Sequence, residues 1–540
     1  MPRAGKSRRA DVTPRRQIPV VVCTADKTPT VLGVASMEGR CEKLKIVVQI
    51  GPMDIDERVR SVANGLNVEV FSWAELEEEG QSKPAELVPP TPGDLYTIMY
   101  TSGTTGAPKG VMVTHGNFVA SLTGILRQNV FTPAHTDVHL SYLPLAHVFE
   151  RGMQHLLLMH GASIAFYRGR TDHLVSDIAA ARPTIFIGVP RIFNRLYDKC
   201  RQGVEDANWF SKTLFNMGFS SKTSALRTGE DTPIWDKLVF HSLAERLGGR
   251  CRLIVSGGAP LSPQVQEFMR VVFCCPVLQV YGLTEVGSMT LTTPDDKKFG
   301  HVGPPVPSNE VKLVDVPDMG YTSRDRPLPR GEICCRGPNV FVGYYRDEAK
   351  TREVLDSDGW FHTGDIGQWN EDGTLSIIDR KKNLFKLAQG EYVAPEFVEG
   401  VLTTSRFVAQ SFVHGDSMHS VLVAVIVPDP DVLLAWAKEN ELSDADNLEV
   451  LCTKEKVIKT IEEDLKEVAK TGGLKGFEIP KAIHLEPELF TLENGALTPT
   501  YKMKRPVLAK RYADDIKRLY SSVDYTTKIA SMYSSVAAKI

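Results

Sequence analysis

The chain has 540 residues, 42% hydrophobic and 24% charged, the balance of a folded globular protein long enough for two or three domains. Its 63 basic and 66 acidic residues leave a formal net charge of −3, so no basic excess points to nucleic acid, and no nucleic-acid module is visible. Nine cysteines fall in no metal-ligand spacing (Cys274-Cys275 and Cys334-Cys335 are adjacent pairs, not C-x-x-C), which reads as a reduced, intracellular protein. No apolar run reaches the ~18 residues that a membrane-spanning helix needs; the longest, such as SVLVAVIV (Ser420–Val427), are strand-sized.

The opening MPRAGKSRRADVTPRRQIP is basic and has no apolar centre, so a secretory leader is not expected; a disordered start is the expectation, with a transit peptide as the alternative. From Pro19 to about Val255, runs such as KLKIVVQIG, TIFIGVP and CRLIVSGG alternate with helical stretches, the pattern of an α/β fold with a partly parallel sheet. Within it LYTIM predicts a strand, and the glycine- and hydroxyl-rich YTSGTTGAPKG (Tyr100–Gly110) follows directly. Next comes VMVTHGNFVASLTGIL, in which Asn117 is predicted to cap a helix presenting Phe118, Leu122 and Ile125 on one face. Between Val302 and Asp379 the pattern changes to short strands and turns (NEVKLVDV, GEICCRG, GTLSIIDR), a β-rich subdomain. The charged DRKKN (Asp379–Asn383) marks a boundary. Beyond it KEKVIKTIEEDLKEVAK places Val457, Ile461, Leu465 and Val468 on one helical face, as in a compact α+β domain. The expected division is therefore 1–378, a hinge at 379–382, and a smaller domain over 383–540. No internal repeat is present.

The loop poses the chemical question. Glycines let backbone N–H groups turn toward an anion, and Thr101, Ser102, Thr104, Thr105 and Lys109 add donors around Gly103 and Gly106. That is the outline of a phosphate cradle. A flexible linker shares the composition, but this run is wedged between apolar segments with Pro108 ahead of the lysine. A Walker loop needs lysine directly after glycine, whereas Ala107 and Pro108 intervene here. No G-x-G pair and no G-x-S-x-G occur, which removes the dinucleotide fingerprint, the kinase glycine loop and the serine-hydrolase elbow.

The loop resembles that of the adenylate-forming superfamily, and five more segments follow in that family's order: SGGAPLS (Ser256–Ser262), VYGLTEVG (Val280–Gly287), GWFHTGD (Gly359–Asp365), DRKKNLFKLAQGEYVAPE (Asp379–Glu396) and LTPTYKMKRP (Leu497–Pro506). FKLAQGEYVAPE, PTYKMKRP, YLPLAHVFER and VDVPDMGYT look more narrowly like the eukaryotic long-chain acyl-CoA synthetases. The similarity covers Pro19 to Tyr520. It implies a large multi-sheet adenylate-forming domain with a β-rich subdomain and a small mobile α+β cap. The implied activity is an ATP-dependent ligase that first makes an acyl-adenylate and then the thioester, with ATP, Mg²⁺ and coenzyme A. A long-chain fatty acid is the implied substrate and peripheral membrane contact fits; no nucleic acid is expected.

The resemblance also implies roles. Thr101 to Lys109 wraps the β- and γ-phosphates; Glu285 holds Mg²⁺ through oxygen, as a hard cation prefers, and Thr284 bonds a phosphate oxygen. Read alone, Thr284 and Glu285 would be a helix-capping pair. Tyr281, beside Gly282, offers a flat face to adenine, whose edge the backbone of Gly257, Gly258 and Ala259 approaches. Asp365 suits the ribose hydroxyls, and Arg380 the ribose or a phosphate. His147 lies beside the reacting carboxylate, without a general-base role, because a carboxylate needs no deprotonation at neutral pH. Lys502 bridges carboxylate and α-phosphate; on charge alone it is one more lysine in a basic run. Rotation about Lys382 then carries Lys502 away and brings in the segment from Lys386 to Glu391.

The match has one departure. Long-chain synthetases carry a longer segment ahead of the phosphate loop, so the large domain is expected to be incomplete at its start, with an exposed sheet edge. A non-catalytic nucleotide- or acyl-binding pseudoenzyme, or an acyl-AMP ligase using another acceptor, stand as the alternatives. The final AKI loosely resembles a peroxisomal address; cytoplasmic, endoplasmic-reticulum and mitochondrial surfaces fit equally.

Overall fold

The structure, a computed structural model, describes residues 18–37, 41, 43–51, 55–101, 108–170, 173–498 and 501–523. Ser102 to Ala107 of the glycine-rich loop, Pro499 and Thr500, and the terminal AKI lie outside the described residues.

The chain forms two compact units. The first, running to Thr91, holds three parallel strands in chain order: Val20–Thr24, Ile46–Ile50 and Glu69–Ser72. Helices Thr28–Ala35 and Glu57–Gly65 supply the crossovers that parallel strands require, and Leu32, Val47, Ala63 and Val70 form their common core. Ser72 ends the last strand and caps helix Trp73–Ser82 through a reciprocal capping box with Glu75.

The second unit contains everything from Pro92 onward except 105–108. At its centre lies a six-stranded sheet in the order Gly287–Leu291, Val277–Leu283, Leu253–Gly257, Ile185–Gly188, Val138–Ser141, Ser163–Phe166. Every pair is parallel except the first, which is a hairpin. The inner strands Ile185–Gly188 and Leu253–Gly257 are buried at every position, which is why they read as unbroken apolar runs. Leu95–Thr101, Lys109–Thr114 and Gly343–Tyr344 make a small antiparallel sheet. The predicted β-rich subdomain is an antiparallel sheet of Glu310–Val314, Arg330–Arg336, Phe361–Trp369 and Leu375–Arg380. After Arg380 the chain builds a separate three-stranded sheet, Val408–His414, Val423–Pro428 and Ala482–Leu485, with its own apolar cores.

Two local expectations are corrected. The helix after the glycine-rich loop, His115–Arg127, is capped by Thr114 rather than by Asn117. The strand Lys109–Thr114 runs into it without a loop, so the last extended residue is also the cap. Asn117 closes the box from inside, its Oδ1 accepting the Thr114 N–H at 3.0 Å while Thr114 Oγ1 accepts the Asn117 N–H at 3.1 Å. Its amide group is left to donate to the carbonyls of Pro338 and Val340, both at 2.8 Å. In helix Glu455–Thr471 the fully buried row is Val457, Ile461, Leu465 and Ala469, a strict four-residue spacing. Val468 lies on the same face, as expected, and packs half-buried against that core; the residue the expectation left out is Ala469.

Candidate active site

The parallel strands Leu253–Gly257 and Val277–Leu283 end side by side, and ligands of open α/β sheets sit at such carboxyl ends. Gly257, Gly258 and Ala259 leave the first strand there. A Cβ on Gly257 would lie 2.7 Å from Val280 Cγ1 and 3.2 Å from the Phe149 ring, and Gly258 takes φ +86°, so side chains are barred from this backbone. The second strand carries a β-bulge between Tyr281 and Gly282, and Thr284 and Glu285 form the hairpin turn into Gly287–Leu291. A bulge at this point re-aims the side chains that follow it.

Asp365 and Arg380 face each other across two strands of the antiparallel subdomain, Arg380 Nε lying 3.4 Å from Asp365 Oδ1. The Tyr281 hydroxyl donates to Asp365 Oδ2 at 2.7 Å, joining the central sheet to the subdomain. Asp365 is 3% exposed, and burial raises its pKa against the opposing pull of Arg380 and the Tyr281 bond. Asp365 in turn holds the Arg380 guanidinium above its ordinary value. Burial, reinforced by Asp365, pushes the Tyr281 phenol well up.

Thr101 and Lys109 are cross-strand partners at the two ends of the glycine-rich loop. Ser102, Gly103, Thr104, Thr105 and Gly106, assigned to the phosphates from the sequence, lie outside the described residues. Burial first, then Lys350 and Lys382, depress the Lys109 pKa, while Glu285 and Glu353 oppose them. The Glu285 carboxylate accepts the Tyr344 hydroxyl at 2.8 Å; burial raises its pKa, and Tyr344, Arg380 and Lys109 pull it back. An oxygen donor set of Glu285 and Thr284 fits a hard divalent cation that takes its other ligands from phosphate and water. Among the described residues no three His, Cys, Asp or Glu side chains gather into a metal cage.

Lys502 comes from the far end of the chain. It sits in a tight turn where the Thr498 N–H donates to its carbonyl at 2.8 Å and its own N–H donates to Thr498 Oγ1 at 3.0 Å, with Tyr501 at φ +60°. Burial and Arg380 lower its pKa, and Glu396, Asp365 and Glu285 act in the other direction, so its charge acts on the same groups. Its charge also acts on His147. That ring begins helix Val148–Met159, its Nδ1 accepting the Phe149 N–H at 3.3 Å, and burial followed by the Lys502 charge pushes its pKa down to about 4. The Arg191 guanidinium over the Tyr501 ring, 5.8 Å from its centre, adds a contact beside this turn. Lys386 is not brought in: it is exposed on the short strand Phe385–Lys386, its ammonium 5.3 Å from the centre of the Tyr392 ring.

Residues 109, 147, 281, 285, 365, 380 and 502 thus form one electrostatic group, with three cations set among carboxylates. Such an arrangement suits a polyphosphate and a carboxylate brought together. The sequence matches the model of the AMP-binding enzyme family over residues 2–345. The chain belongs to the AMP-binding enzyme family. It is similar to long chain acyl-CoA synthetase 7, peroxisomal, of Arabidopsis thaliana, 47% identical over 90% of this chain and 69% of that one. It is likewise similar to fatty acyl-CoA synthetase A of Dictyostelium discoideum, 48% identical over 94% of this chain and 75% of that one. Among solved structures, the adenylation domain of a carboxylate reductase from Mycobacterium chelonae overlays 95% of this chain and 74% of its own with a TM-score of 0.76 at 28% identity. The adenylation and carrier didomain of a Segniliparus rugosus carboxylic acid reductase, solved with AMP, gives a TM-score of 0.75 at 29% identity over 96% of this chain and 67% of its own. The mixed α/β, multi-sheet architecture is that of this AMP-binding family.

Sequence reading missed three participants. Tyr344 touches both Glu285 and Lys109, yet VGYY carries no motif spacing. Asp379 is 3% exposed and accepts the N–H groups of Arg380 at 2.5 Å and Glu396 at 3.2 Å, so it spans the boundary segment; burial and Glu396 raise its pKa. Arg505 pairs with the buried Glu399, and the basic run around it gave no sign that one of its members is internal.

Proposed function

We propose that this AMP-binding enzyme is an ATP-dependent ligase that joins a long-chain fatty acid to coenzyme A. The fatty carboxylate attacks the α-phosphorus, the bond to the β-phosphate bridging oxygen breaks, and pyrophosphate leaves. The thiolate of coenzyme A then attacks the acyl carbon and AMP leaves. Long-chain and fatty acyl-CoA synthetases as relatives support the substrates. The observation that supports the mechanism is that the buried Lys502 charge acts on Asp365, Glu285 and His147, which precede the 379–382 segment, and on Arg380 within it.

In this reading the segment from Thr101 to Lys109 holds the β- and γ-phosphates, and Thr284 bonds a phosphate oxygen. Tyr281 and Gly257, Gly258, Ala259 and Gly282 border the adenine, and Asp365 and Arg380 take the ribose. Glu285 would hold a Mg²⁺, which when bound would supply charge neutralisation for the departing pyrophosphate. Lys502 bridges carboxylate and α-phosphate, and His147 borders the carboxylate as a neutral ring. Residues 1–378, 379–382 and 383–540 act as nucleotide-binding part, hinge and cap, with Lys386 to Glu391 used in the thioester step.

Peripheral membrane contact is part of the proposal. Trp209, Phe210, Met217, Ile234 and Leu238 are each more than half exposed. Trp209, Phe210 and Met217 share the face of helix Trp209–Thr228 opposite its buried Phe215 and Gly218. No described helix is long and apolar enough to cross a membrane. Relatives named as peroxisomal support a peroxisomal location. With Mg²⁺, ATP, coenzyme A and palmitate or oleate, the expected products are acyl-CoA, AMP and pyrophosphate. ADP and phosphate would overturn the adenylation chemistry, and activity confined to acetate would overturn the long-chain assignment.

A further inference from the structure

Tyr344 joins the two ends of the phosphate region. Its hydroxyl donates to Glu285 Oε1 at 2.8 Å, and the face of its ring lies 4.8 Å from Lys109 Nζ. Glu285 stands on the hairpin turn of the central sheet, and Lys109 opens a strand of a different sheet. One side chain therefore contacts an anion on one sheet and a cation on another.

The residue is held rigidly for this. It is 5% exposed, its strand Gly343–Tyr344 pairs with the Lys109 strand (Tyr344 opposite Val111), and its N–H donates to Thr351 Oγ1 at 2.9 Å. The flanking backbone is fastened to both partners: the Phe341 N–H donates to the Glu285 carbonyl at 2.8 Å and the Tyr345 N–H to the Gly110 carbonyl at 2.8 Å. Phe341 packs edge-on against the Tyr344 ring, with centroids 5.0 Å apart. A clamp so fixed has two physical consequences. A hydroxyl on one carboxylate oxygen removes rotational freedom from the group and presents the other oxygen in a set direction. An aromatic face attracts an ammonium without neutralising it, so Lys109 keeps its charge for an anionic ligand while crowded by Lys350 and Lys382.

We infer that Tyr344 is a positioning residue for the adenylation step, its hydroxyl aiming the Glu285 carboxylate at the divalent cation and its ring seating Lys109 at the phosphates. The inference rests on the reading of Glu285 as the cation's ligand.

The test measures binding, with Mn²⁺ as the spectroscopic stand-in for Mg²⁺. Free Mn²⁺ is titrated by electron paramagnetic resonance in the presence of protein and ATP without fatty acid. ATP binding in EDTA is measured in parallel by calorimetry. Tyr344→Phe keeps the ring and loses the hydroxyl; it should weaken Mn²⁺ binding to the protein–ATP complex about tenfold, the order a hydrogen bond to a charged group supplies. Its metal-free ATP affinity should match wild type, with a small loss of melting temperature from the missing hydrogen bond. Tyr344→Leu loses the ring as well and should weaken metal-free ATP binding too. Glu285→Gln separates the two claims. If it weakens Mn²⁺ binding while Tyr344→Phe binds as wild type, the role of Tyr344 is overturned and that of Glu285 stands. If Glu285→Gln itself binds Mn²⁺ as wild type, the ligand reading fails and the inference falls with it. Equal metal-free ATP binding by Tyr344→Leu and wild type would overturn the seating of Lys109.

Discussion

Acidification should undock the cap, and His147 should report it. Its ring is held at a pKa of about 4, against an ordinary 6.5, by burial and by the Lys502 charge. The full gap is worth about 3.4 kcal/mol. For a base whose pKa is depressed, the stabilisation is complete above the ordinary value and is lost as pH falls toward the depressed one. At about pH 5 most of the undocked His147 would be protonated while the docked ring stays neutral. Where undocking restores the ordinary pKa, the docked arrangement then loses about 2 kcal/mol, a shift of about 30-fold. The assay is the initial rate of pyrophosphate release on acyl-AMP formation, followed from about pH 7.5 to about pH 5, for wild type and His147→Asn. Asparagine keeps an acceptor for the Phe149 N–H and cannot titrate in this range, so Glu285 and Asp365 titrate equally in both proteins. Wild type should lose more of its rate than His147→Asn over that window, by up to about 30-fold where docking limits the rate. Identical acid limbs for the two proteins would mean that His147 does not sense the docked lysine.

Three further outcomes are expected. Lys502→Ala should abolish acyl-AMP formation yet spare thioester formation from supplied acyl-AMP, and Lys382→Pro should do the reverse by fixing the hinge φ near −65°. The turn's own bonds, from the N–H groups of Asn383 and Leu384 to the Arg380 carbonyl, do not use the Lys382 N–H; equal losses in both half-reactions for both variants would mean one static site. Arg505→Met should destabilise the chain by about 3 kcal/mol in urea unfolding, because it strands Glu399, which Arg505 Nη1 holds at 2.7 and 2.9 Å in the interior. Burial already raises Glu399 to about 7, a shift whose contribution is present at low pH and lost as pH rises through that value, so the loss should be greater at pH 8 than at pH 6; a loss under about 1 kcal/mol at both would refute the pairing. Trp209→Ser and Phe210→Ser should each lower sedimentation with anionic vesicles about tenfold, the scale of one large apolar side chain leaving lipid; unchanged partitioning would remove that face as a membrane contact.

Local chemistry was enough to determine much of this protein. Strands such as Ile185–Gly188 and Leu253–Gly257 were legible because a strand covered on both faces is dominated by apolar residues. The helix Glu455–Thr471 was legible from its apolar spacing, whereas Thr284 and Glu285 read alone look like a helix-capping pair and stand out only through the order of the surrounding motifs. Where the sequence reading slipped locally, at Thr114 and Ala469, the slip was a single residue or a fraction of a turn, set by how one element joins or rotates against the next. Tertiary structure alone decided what lies far apart in sequence. Tyr344 is 59 residues from Glu285, and nothing in its neighbourhood marks it, because its partners are supplied by two other strands. Arg505 is indistinguishable in sequence from the lysines beside it until Glu399, 106 residues earlier, is buried against it. Lys502 acquires its surroundings only by packing of the tail onto the nucleotide side, since its charge acts on His147, Asp365 and Arg380 through space. Periodicity and turn chemistry are short-range and survive in the one-dimensional pattern, whereas burial, charge pairing and cation–π contact depend on distances that exist only once the chain is folded.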